Sequence, residues 1–562
     1  MSVDQNPPAA AHGVDALEEL LGDPWAAANP AGFARLLAAD EAREPAAEAE
    51  ATLAGHGLGA ELVPTALGGR FTDLPRLVEV LRALWRRDPT LGFGAGLRPF
   101  LAAAQVWAAG DARQQRTVAD HLLAGRTLAA AEGGAGASGF TAERAADGWR
   151  LHGRQEVLTR PHEAAALVVA ARTPEGEATF LLETAALPAA GVRHLPRLPG
   201  AGMRGLRLGG LEFHDCPVPA TALLGTVPGT AGPAVSALAR TGLPAASAAV
   251  LDTGLRVALD CALGRRLYGG KVADLPYVQG TLARCFADLL LLDAFSGTVA
   301  RTLSVLPDQA AVPAAALGHL GPRLLVDAMD TLRSVPGARG YLHEGRHAIF
   351  QKLGRDLLPG GFGADSRAAC LAELRELLPG LAGAARPTEP ALPQGLFPAG
   401  EAEPAPLDFA ALTGARTAAD PLAPVLSALV ADTAPDSLPG RFARHFEAEL
   451  DRVRAAGAAL DPERPGLDAE PEELRLAHRY AVVLAAAACL GTWAAGRRAG
   501  DPRTGEETWL CAALDRLGAL TGGPRVLTEA ERAAVEEEMF DAARRRFAER
   551  RLFDLSHRAV PG

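Results

Sequence analysis

The sequence has no excess of positive charge and almost no lysine. Its 562 residues include 56 Lys and Arg against 67 Asp and Glu, which gives a formal net charge of -11, and Lys271 and Lys352 are the only lysines. A protein that binds the phosphate backbone of nucleic acid presents a basic field or patch. The sequence shows neither, so we do not expect a nucleic-acid partner.

Paired cysteines are also missing. The six cysteines lie far apart in the sequence and form no CxxC pair: Cys216, Cys261, Cys285, Cys370, Cys489 and Cys511. This spacing suits reduced thiols and indicates neither a disulfide framework nor a zinc cluster. We therefore expect no bound metal and a cytoplasmic location.

The sequence shows no leader and no long apolar run. Residues 1–30 have neither a basic start nor an apolar core, so they do not resemble a signal peptide. The most apolar run, 481–491, is far shorter than the roughly 20 residues that cross a bilayer. We expect a soluble protein without a membrane partner, and its length predicts more than one domain.

The first 225 residues divide by the period of their apolar positions. Residues 1–30 are predicted to be a flexible tail, and apolar positions then recur at three and four residues over 31–125, which predicts a helical domain. Between 126 and 225 the period becomes two, with Gly and Pro between the runs, which predicts a small antiparallel β domain.

Helical periodicity returns in the rest of the chain. Residues 226–380 contain long helical segments typical of an antiparallel bundle. Residues 387–406 hold six prolines and are predicted to be a linker, because proline disrupts helix interiors and central strands. Residues 408–562 are helical again and form a predicted C-terminal domain.

A glycine-rich string, GAGASG at 134–139, matches the GxGxxG pattern of dinucleotide-binding folds. In those folds a helix follows the glycines, whereas here the Asp147-Gly148 pair predicts a hairpin. We interpret the string as a loop of the β domain.

A second string, HEGRH at 343–347, matches the HExxH pattern of zinc hydrolases, in which a helix presents both histidines. Gly345 lies inside the string, and the sequence offers no third ligand. We therefore predict that His343 and His347 bind no zinc.

Four blocks, in this order, resemble the acyl-CoA dehydrogenase and acyl-CoA oxidase superfamily. They are AAAEGGAGASG at 129–139, GWRLHGRQEVLTR at 148–160, GLRLGGLEFHDCPVPATALLG at 205–225 and ALDCALGRRLYGGKVADLPYVQGTLARCFADL at 258–289. The resemblance covers about residues 30–380 and implies a mainly helical fold with a central small β domain and a four-helix bundle. The remainder resembles the appended helical domain of longer members.

The resemblance implies a flavin cofactor, FAD. Small residues in the first block would let backbone N-H groups approach the cofactor, and Thr159 matches a threonine that bonds the flavin ring. Residues of the fourth block match positions that serve the cofactor across a subunit interface. The implied cofactor-binding residues are Glu132, Gly136, Thr159, Arg265, Tyr268 and Gly337.

Several cofactor contacts of the family are missing here. The loop threonine is Ala131, its serine is Ala137, the stacking tryptophan is Val157, and the glutamine of the fourth block is Pro276. Each change removes a hydrogen bond or stacking face worth on the order of 1 kcal/mol. The sequence therefore predicts weakened FAD binding.

The catalytic carboxylate of the family is also missing from both of its usual positions. After the Arg355-Asp356 pair, which matches the family, Gly363 or Ala364 stands where one base would lie. The other position, before Arg240, is Ala239. The nearest carboxylate is Asp365, which we interpret either as a displaced base or as the cap of the helix that follows. The candidate catalytic residues are Asp365 and Arg240.

The resemblance leaves three functions open. The first is α,β-dehydrogenation of an acyl thioester of CoA or a carrier protein, as in secondary metabolism, by a homodimer. The second is a non-catalytic subunit that pairs with an active paralogue, which the missing base favours. The third is a flavin monooxygenase of the same fold, which needs no α-proton base.

Overall fold

A computed structural model gives the structure of the chain. It describes residues 13–131, 139–225, 232–267, 269–357, 366–383, 394–399, 403–413 and 419–561. The predicted fold class is confirmed: helices surround a small β domain in the middle of the chain.

The N-terminal part is helical. Its helices are α1 (Val14–Leu21), α2 (Phe33–Glu41), α3 (Ala47–His56), α4 (Leu74–Arg87), α5 (Pro89–Leu91), α6 (Arg98–Ala109) and α7 (Ala112–Leu123). Asp73 begins α4 by accepting a hydrogen bond from the backbone N-H of Arg76, and an Asp111–Gln114 capping box begins α7.

The predicted tail over 1–30 is wrong for part of its length. Helix α1 buries Leu17 and Leu21 in the core, and Glu18 forms a buried ion pair with Arg86 of α4. This helix is hard to predict because it has only two turns and because Gly13, its N-cap, makes no side-chain hydrogen bond.

The β domain contains a seven-stranded sheet. Its strands are β1 (Leu128–Ala130), β2 (Thr141–Ala145), β3 (Gly148–Thr159), β4 (Ala166–Thr173), β5 (Gly176–Glu183), β6 (Val192–His194) and β7 (Leu208–Pro219). The sheet is mixed, whereas the sequence predicted an antiparallel one, because β1 pairs with β4 in parallel. Periodicity of two marks strands and says nothing of their direction.

The bundle follows in α8 (Gly232–Gly264), α9 (Pro276–Val305), α10 (Ala311–Leu332), α11 (Ile349–Leu357) and α12 (Arg367–Gly383). A short hairpin, β8 (Arg266–Leu267) and β9 (Gly270–Lys271), joins the first two helices. Helices α8, α9 and α10 pack on one another, and α12 packs on α10. This arrangement agrees with the predicted antiparallel bundle.

The C-terminal helices pack directly on the bundle. They are α13 (Ala423–Asp432), α14 (Leu438–Gly457), α15 (Pro471–Ala499), α16 (Glu507–Thr521) and α17 (Glu529–Ala548). Helix α15 contacts α9, α10 and α12, and α17 contacts α9. The chain end then returns to the bundle, where Asp252 of α8 accepts a hydrogen bond from the backbone N-H of Phe553.

The described part of the predicted linker is packed rather than free. It forms neither helix nor strand, as its prolines predict, but Leu396 and Phe397 are buried. A side chain on Gly491 of α15 would lie 2.2 Å from the Phe397 ring, so the glycine admits this close approach. The segment therefore helps to attach the C-terminal helices to the bundle.

Two helices are long and apolar enough, by length and composition alone, to cross a bilayer. They are Ala234–Gly264 and Pro471–Ala499, and the run 481–491 belongs to the second. Their most apolar windows are 72% and 78% buried inside the protein. A helix that is apolar on all sides is expected in the core of a large protein, and burial places both helices there.

A buried histidine pair joins the bundle to the C-terminal helices. His319 of α10 and His478 of α15 approach within 3.0 Å through their ring nitrogens. Burial lowers the pKa of His319 to about 3 and that of His478 to about 4, and Arg323 and Arg367 act in the same direction. Both rings are therefore neutral in the folded protein at neutral pH.

This pair predicts loss of stability in mild acid. The unfolded rings have a pKa near 6.5, so the pair's stabilisation is complete above that pH and declines as the pH falls toward 4. Between pH 7 and pH 5 we expect a loss on the order of 2 kcal/mol for each ring, measured by urea unfolding. Over this pH range a His478→Gln variant should lose less stability than the native protein. An exposed control, His152→Asn, should lose as much stability as the native protein. Equal losses in all three would contradict the assignment.

Candidate functional site

An unusually wide helical turn lies between α5 and α6. Residues Gly92–Leu97 form a π-helix, a rare element that is frequent at functional sites. Its three glycines allow close packing: a Cβ on Gly92 would lie 2.3 Å from the Trp85 ring, and one on Gly96 would lie 2.4 Å from Leu81. A side chain on Gly94 would meet Leu206 of the β domain at 2.9 Å. The π-helix therefore packs closely against α4 of the N-terminal domain and against the β domain.

Arg98 follows the π-helix and connects it to the β domain. Its Nη2 donates to the carbonyl oxygen of Ala130, the last residue of β1, at 3.0 Å. The guanidinium also stacks over the ring of Phe93, 5.7 Å from its centroid. The next residue, Ala131, forms a bridge with Leu158 of β3. Arg98 therefore lies close to the C-terminal ends of β1 and β3.

Thr159 ends β3 at this place. The residue is 3% exposed, and its hydroxyl has no hydrogen-bond partner in the described part of the chain. Leaving a buried hydroxyl unpaired costs roughly 1–3 kcal/mol. Such a group is expected to have a partner in the working protein, and Thr159 lies at the end of β3 beside the bridge to Ala131.

The first turns of α8 complete this junction. A side chain on Gly242 would lie 3.3 Å from Leu97, which precedes Arg98. Ala239 is one turn earlier on the same face of the helix, and it is only partly buried. We call Arg98, Ala131, Thr159 and Ala239 the junction site. It brings together the ends of two strands, a π-helix and the start of α8.

Arg240 lies beside Ala239 but points to another neighbour. Its Nη1 donates to a carboxylate oxygen of Glu373 on α12 at 2.5 Å, and both side chains are buried. A side chain on Gly318 of α10 would touch Arg240 at 3.3 Å, so Arg240 faces α10 and α12. The sequence did not predict Glu373, because nothing in its spacing marks it.

The other predicted cofactor residues lie at the far end of α8. Arg265 comes 25 residues after Arg240, which corresponds to about 37 Å along a helix. Gly337 begins a short 3-10 turn with a φ of 58°. Burial raises the pKa of the Cys261 thiol near the end of α8, while Arg339 of that turn and Arg265 lower it. Arg265 and the turn therefore both lie near the end of α8, away from the junction site of the same chain.

The remaining predicted residues lie outside the described residues. This group consists of Glu132, Gly136 and Ala137 in the glycine-rich loop, Tyr268 in the hairpin, and Gly363, Ala364 and Asp365 before α12. The cap of α12 is described, and Ser366 supplies it by accepting from the backbone N-H of Ala369 at 3.3 Å. Asp365 itself lies outside the described residues, so both interpretations of it, as a displaced base and as a cap, stay predictions.

A buried charge cluster stands directly before the segment that should carry the base. Lys352 on α11 donates to Asp88 at 2.5 Å and to Asp356 at 2.7 Å, and the carboxylate of Asp40 lies 3.9 Å away. Asp356 also accepts from Arg355 and from the backbone N-H of Met203 in the β domain. We call these residues the Lys352 cluster, and it fixes the end of α11 against both other domains.

The HEGRH string does not have the geometry of a zinc site. Residues 343–347 form bends and a turn rather than a helix, and Gly345 has a φ of 92°. His343 approaches Glu41 at 2.7 Å, whereas His347 approaches Asp260 at 2.8 Å. Among the described residues, no group of three His, Cys, Asp or Glu side chains is arranged to hold a metal.

The bundle helices match a known protein family. Residues 236–363 match the family model for the acyl-CoA dehydrogenase C-terminal domain. The bundle of this chain is therefore assigned to the acyl-CoA dehydrogenase C-terminal domain family. No curated protein sequence matches the chain significantly.

Solved structures of the acyl-CoA dehydrogenase superfamily share the fold. The acyl-CoA dehydrogenase of Bacillus anthracis, complexed with FAD, superposes with a TM-score of 0.71 at 15% identity and covers 94% of each chain. Butyryl-CoA dehydrogenase of Megasphaera elsdenii superposes with a TM-score of 0.55 at 17% identity over 64% of this chain and 96% of its own. The prolyl acyl carrier protein oxidase AnaB gives 0.57 at 18% identity over 64% and 95%. The first match therefore includes most of the C-terminal helices.

Proposed function

We propose that this protein is an FAD-dependent oxidoreductase that acts on an acyl thioester. The observation that carries the proposal is the unpaired, buried hydroxyl of Thr159 in the junction site. A buried polar group without a partner is expected to have one in the working protein. The Bacillus anthracis relative, which shares the fold over 94% of this chain, is a complex with FAD.

The residues present fit a flavin only in part. Thr159 would donate its hydroxyl to the ring, and Arg265 at the far end of α8 would serve the cofactor of a second subunit. Val157, where the family has a tryptophan, is 37% exposed and offers no aromatic face. Bound FAD would supply the hydride acceptor. We therefore propose a homodimer that binds FAD more weakly than its relatives.

A Thr159→Val substitution tests this assignment. The change removes the hydroxyl at nearly constant volume, so FAD affinity should fall about 5- to 10-fold, the value of one hydrogen bond. The FAD-free protein should be slightly more stable, because an unpaired buried hydroxyl has been removed. FAD titration followed by flavin fluorescence measures the first effect, and urea unfolding measures the second. Unchanged affinity together with lower stability would show that the hydroxyl is paired within the protein.

The substrate is proposed by comparison, since the described residues of the junction site do not select one. AnaB is named for its action on a prolyl acyl carrier protein, and other relatives act on CoA thioesters by name. We propose an acyl thioester of CoA or of a carrier protein, handled in the cytoplasm as part of secondary metabolism. A paralogue would take the place of the second subunit if the chain is not catalytic.

The second candidate function is this non-catalytic role, and Ala239 favours it. Removal of an α proton needs a base placed at the reacting carbon, whereas Ala239 carries no proton acceptor and Glu373 is held by Arg240. Dehydrogenation of simple saturated acyl-CoAs should therefore be slow or absent. A repurposed flavoprotein that needs no base, such as a monooxygenase, would still require bound flavin.

Anaerobic rapid mixing separates these candidates. The FAD-loaded protein is mixed with saturated acyl-CoAs and with acyl carrier protein thioesters while the visible flavin bands are recorded. Bleaching by at least one thioester is the result we expect of an oxidoreductase, at a rate well below that of a dehydrogenase with its base. Protein that binds no FAD would contradict the proposal and support the non-catalytic role. FAD that is bound but bleached by none of the thioesters would exclude dehydrogenation.

A further inference from the structure

Arg98 binds the end of β1, which is bridged to the end of β3 that carries the unpaired hydroxyl of Thr159. The link runs through three consecutive contacts. Arg98 donates to the Ala130 carbonyl at 3.0 Å, Ala131 forms a bridge with Leu158, and Thr159 follows Leu158 in β3. The first contact is made by the Arg98 side chain, and the other two are backbone links at the ends of β1 and β3. Arg98 is therefore connected to the end of β3 where Thr159 lies.

The position of Arg98 is set by elements that cannot shift easily. The π-helix before it is fixed by Gly92 and Gly96, whose Cβ positions are already occupied by Trp85 and Leu81. Extra residues in a π-helical turn change the direction of the side chains that follow. The turn thus aims Arg98 at the β domain, whereas its neighbour Leu97 packs against α8.

We propose that Arg98 is a further cofactor-binding residue, which holds the end of β1 and donates to an oxygen atom of the flavin ring beside Thr159. This inference rests on the proposed function. A guanidinium carries five N-H donors in a fixed plane, so it can hold the Ala130 carbonyl and a ligand oxygen together. Hydrogen bonds from a charged donor are about twice as strong as those between neutral groups.

This role also accounts for how FAD is retained despite the missing contacts. The sequence lacks a hydroxyl at Ala131 and an aromatic ring at Val157. One charge-assisted hydrogen bond of roughly 1.5–3 kcal/mol offsets one or two neutral contacts of about 1 kcal/mol each. Arg98 is outside the four blocks that carry the family resemblance, so sequence comparison did not select it.

The test uses the full chain freed of flavin and then titrated with FAD, with flavin fluorescence as the measurement. An Arg98→Met variant should bind FAD at least 10-fold more weakly than the native protein, and Arg98→Lys, which keeps the charge, should recover part of the affinity. The control is Arg113→Met, which removes an exposed arginine of α7 and should bind like the native protein. Urea unfolding of each FAD-free protein measures stability separately.

Each outcome decides the proposal. Weaker binding by Arg98→Met, partial recovery by Arg98→Lys and similar FAD-free stabilities would support it. Native-like binding by Arg98→Met would overturn the role of Arg98 and leave the proposed function intact. If both Arg98 variants lose FAD affinity in proportion to a loss of stability of the FAD-free protein, Arg98 has a structural role only. That result would overturn the proposal. If the native protein and Arg113→Met bind no FAD, both the proposed function and this inference fail.

Discussion

Replacing Lys352 with methionine should lower the free energy of unfolding by about 3–5 kcal/mol, the usual effect of removing one partner from a buried ion pair. Lys352 and Asp356 are each 0% exposed, and Asp88 and Asp40 are each 3% exposed. Burial by itself would lower the pKa of Lys352, but the carboxylates of Asp88 and Asp356 raise it above its ordinary value. The lysine is therefore charged, and its loss leaves the three carboxylates with Arg355 and Arg204, of which only Asp40 and Asp356 have a close partner.

The chain contains a second lysine that serves as a control for this prediction. Lys271 is the only other lysine, and it is exposed in β9, so Lys271→Met should change stability by less than about 0.5 kcal/mol. Urea unfolding of both variants gives the comparison. A domain-sized protein has only about 5–15 kcal/mol of stability, so Lys352→Met should also yield less folded protein. A loss below 1 kcal/mol would contradict the charged cluster.

Placing a carboxylate at Ala239 should increase the rate at which saturated acyl-CoA reduces bound flavin by about 10²- to 10⁴-fold, the usual contribution of a positioned base. Ala239 precedes Arg240, occupies the alternative base position of the family, and is only partly buried in the junction site. Ala239 packs on the core with part of its surface exposed, so an Ala239→Glu side chain would extend from the exposed part of that position. The measurement is anaerobic rapid mixing with both proteins loaded with FAD.

Two further variants make this prediction specific. Ala237→Glu adds the same charge to a different face of α8 and should give no increase. Asp365→Asn tests the remaining carboxylate near the other base position. The native protein could instead show fast flavin reduction that Asp365→Asn abolishes while FAD stays bound. That result would identify Asp365 as the catalytic base and contradict the proposal that the chain has no catalytic base. Absence of any gain in folded, FAD-loaded Ala239→Glu would show that α8 does not face the substrate.

The architecture was predictable because it depends on repeated, local signals. Apolar positions recur every three to four residues in α8 and α9, which predicts helices. They recur every two residues in β3 and β7, which predicts strands. The parallel pairing of β1 with β4 was not predictable, since side-chain alternation is the same in both directions. Helix α1 was missed because two turns carry little periodic signal.

The candidate site was only partly predictable. Thr159 could be found because a motif surrounds it, and the structure places it in the junction site. Arg98, Glu373 and Lys352 depend on contacts between residues 32, 133 and 264 positions apart, which local spacing does not reveal. One signal was present for Arg98, since glycines at 92, 94 and 96 are unusual in a helical region. Arg265 could be placed at the end of α8, while its proposed role belongs to a second subunit.

The most direct test of the account is the amount of FAD that the purified chain binds. Protein incubated with excess FAD is desalted, denatured and scanned, so that released flavin can be compared with the protein concentration. We predict close to one FAD per chain at saturation, with FAD-free protein recovered easily because the binding is weak. A saturated value near zero, in protein that is folded by circular dichroism, would contradict the proposed function and leave the chain as a non-catalytic protein of the same fold.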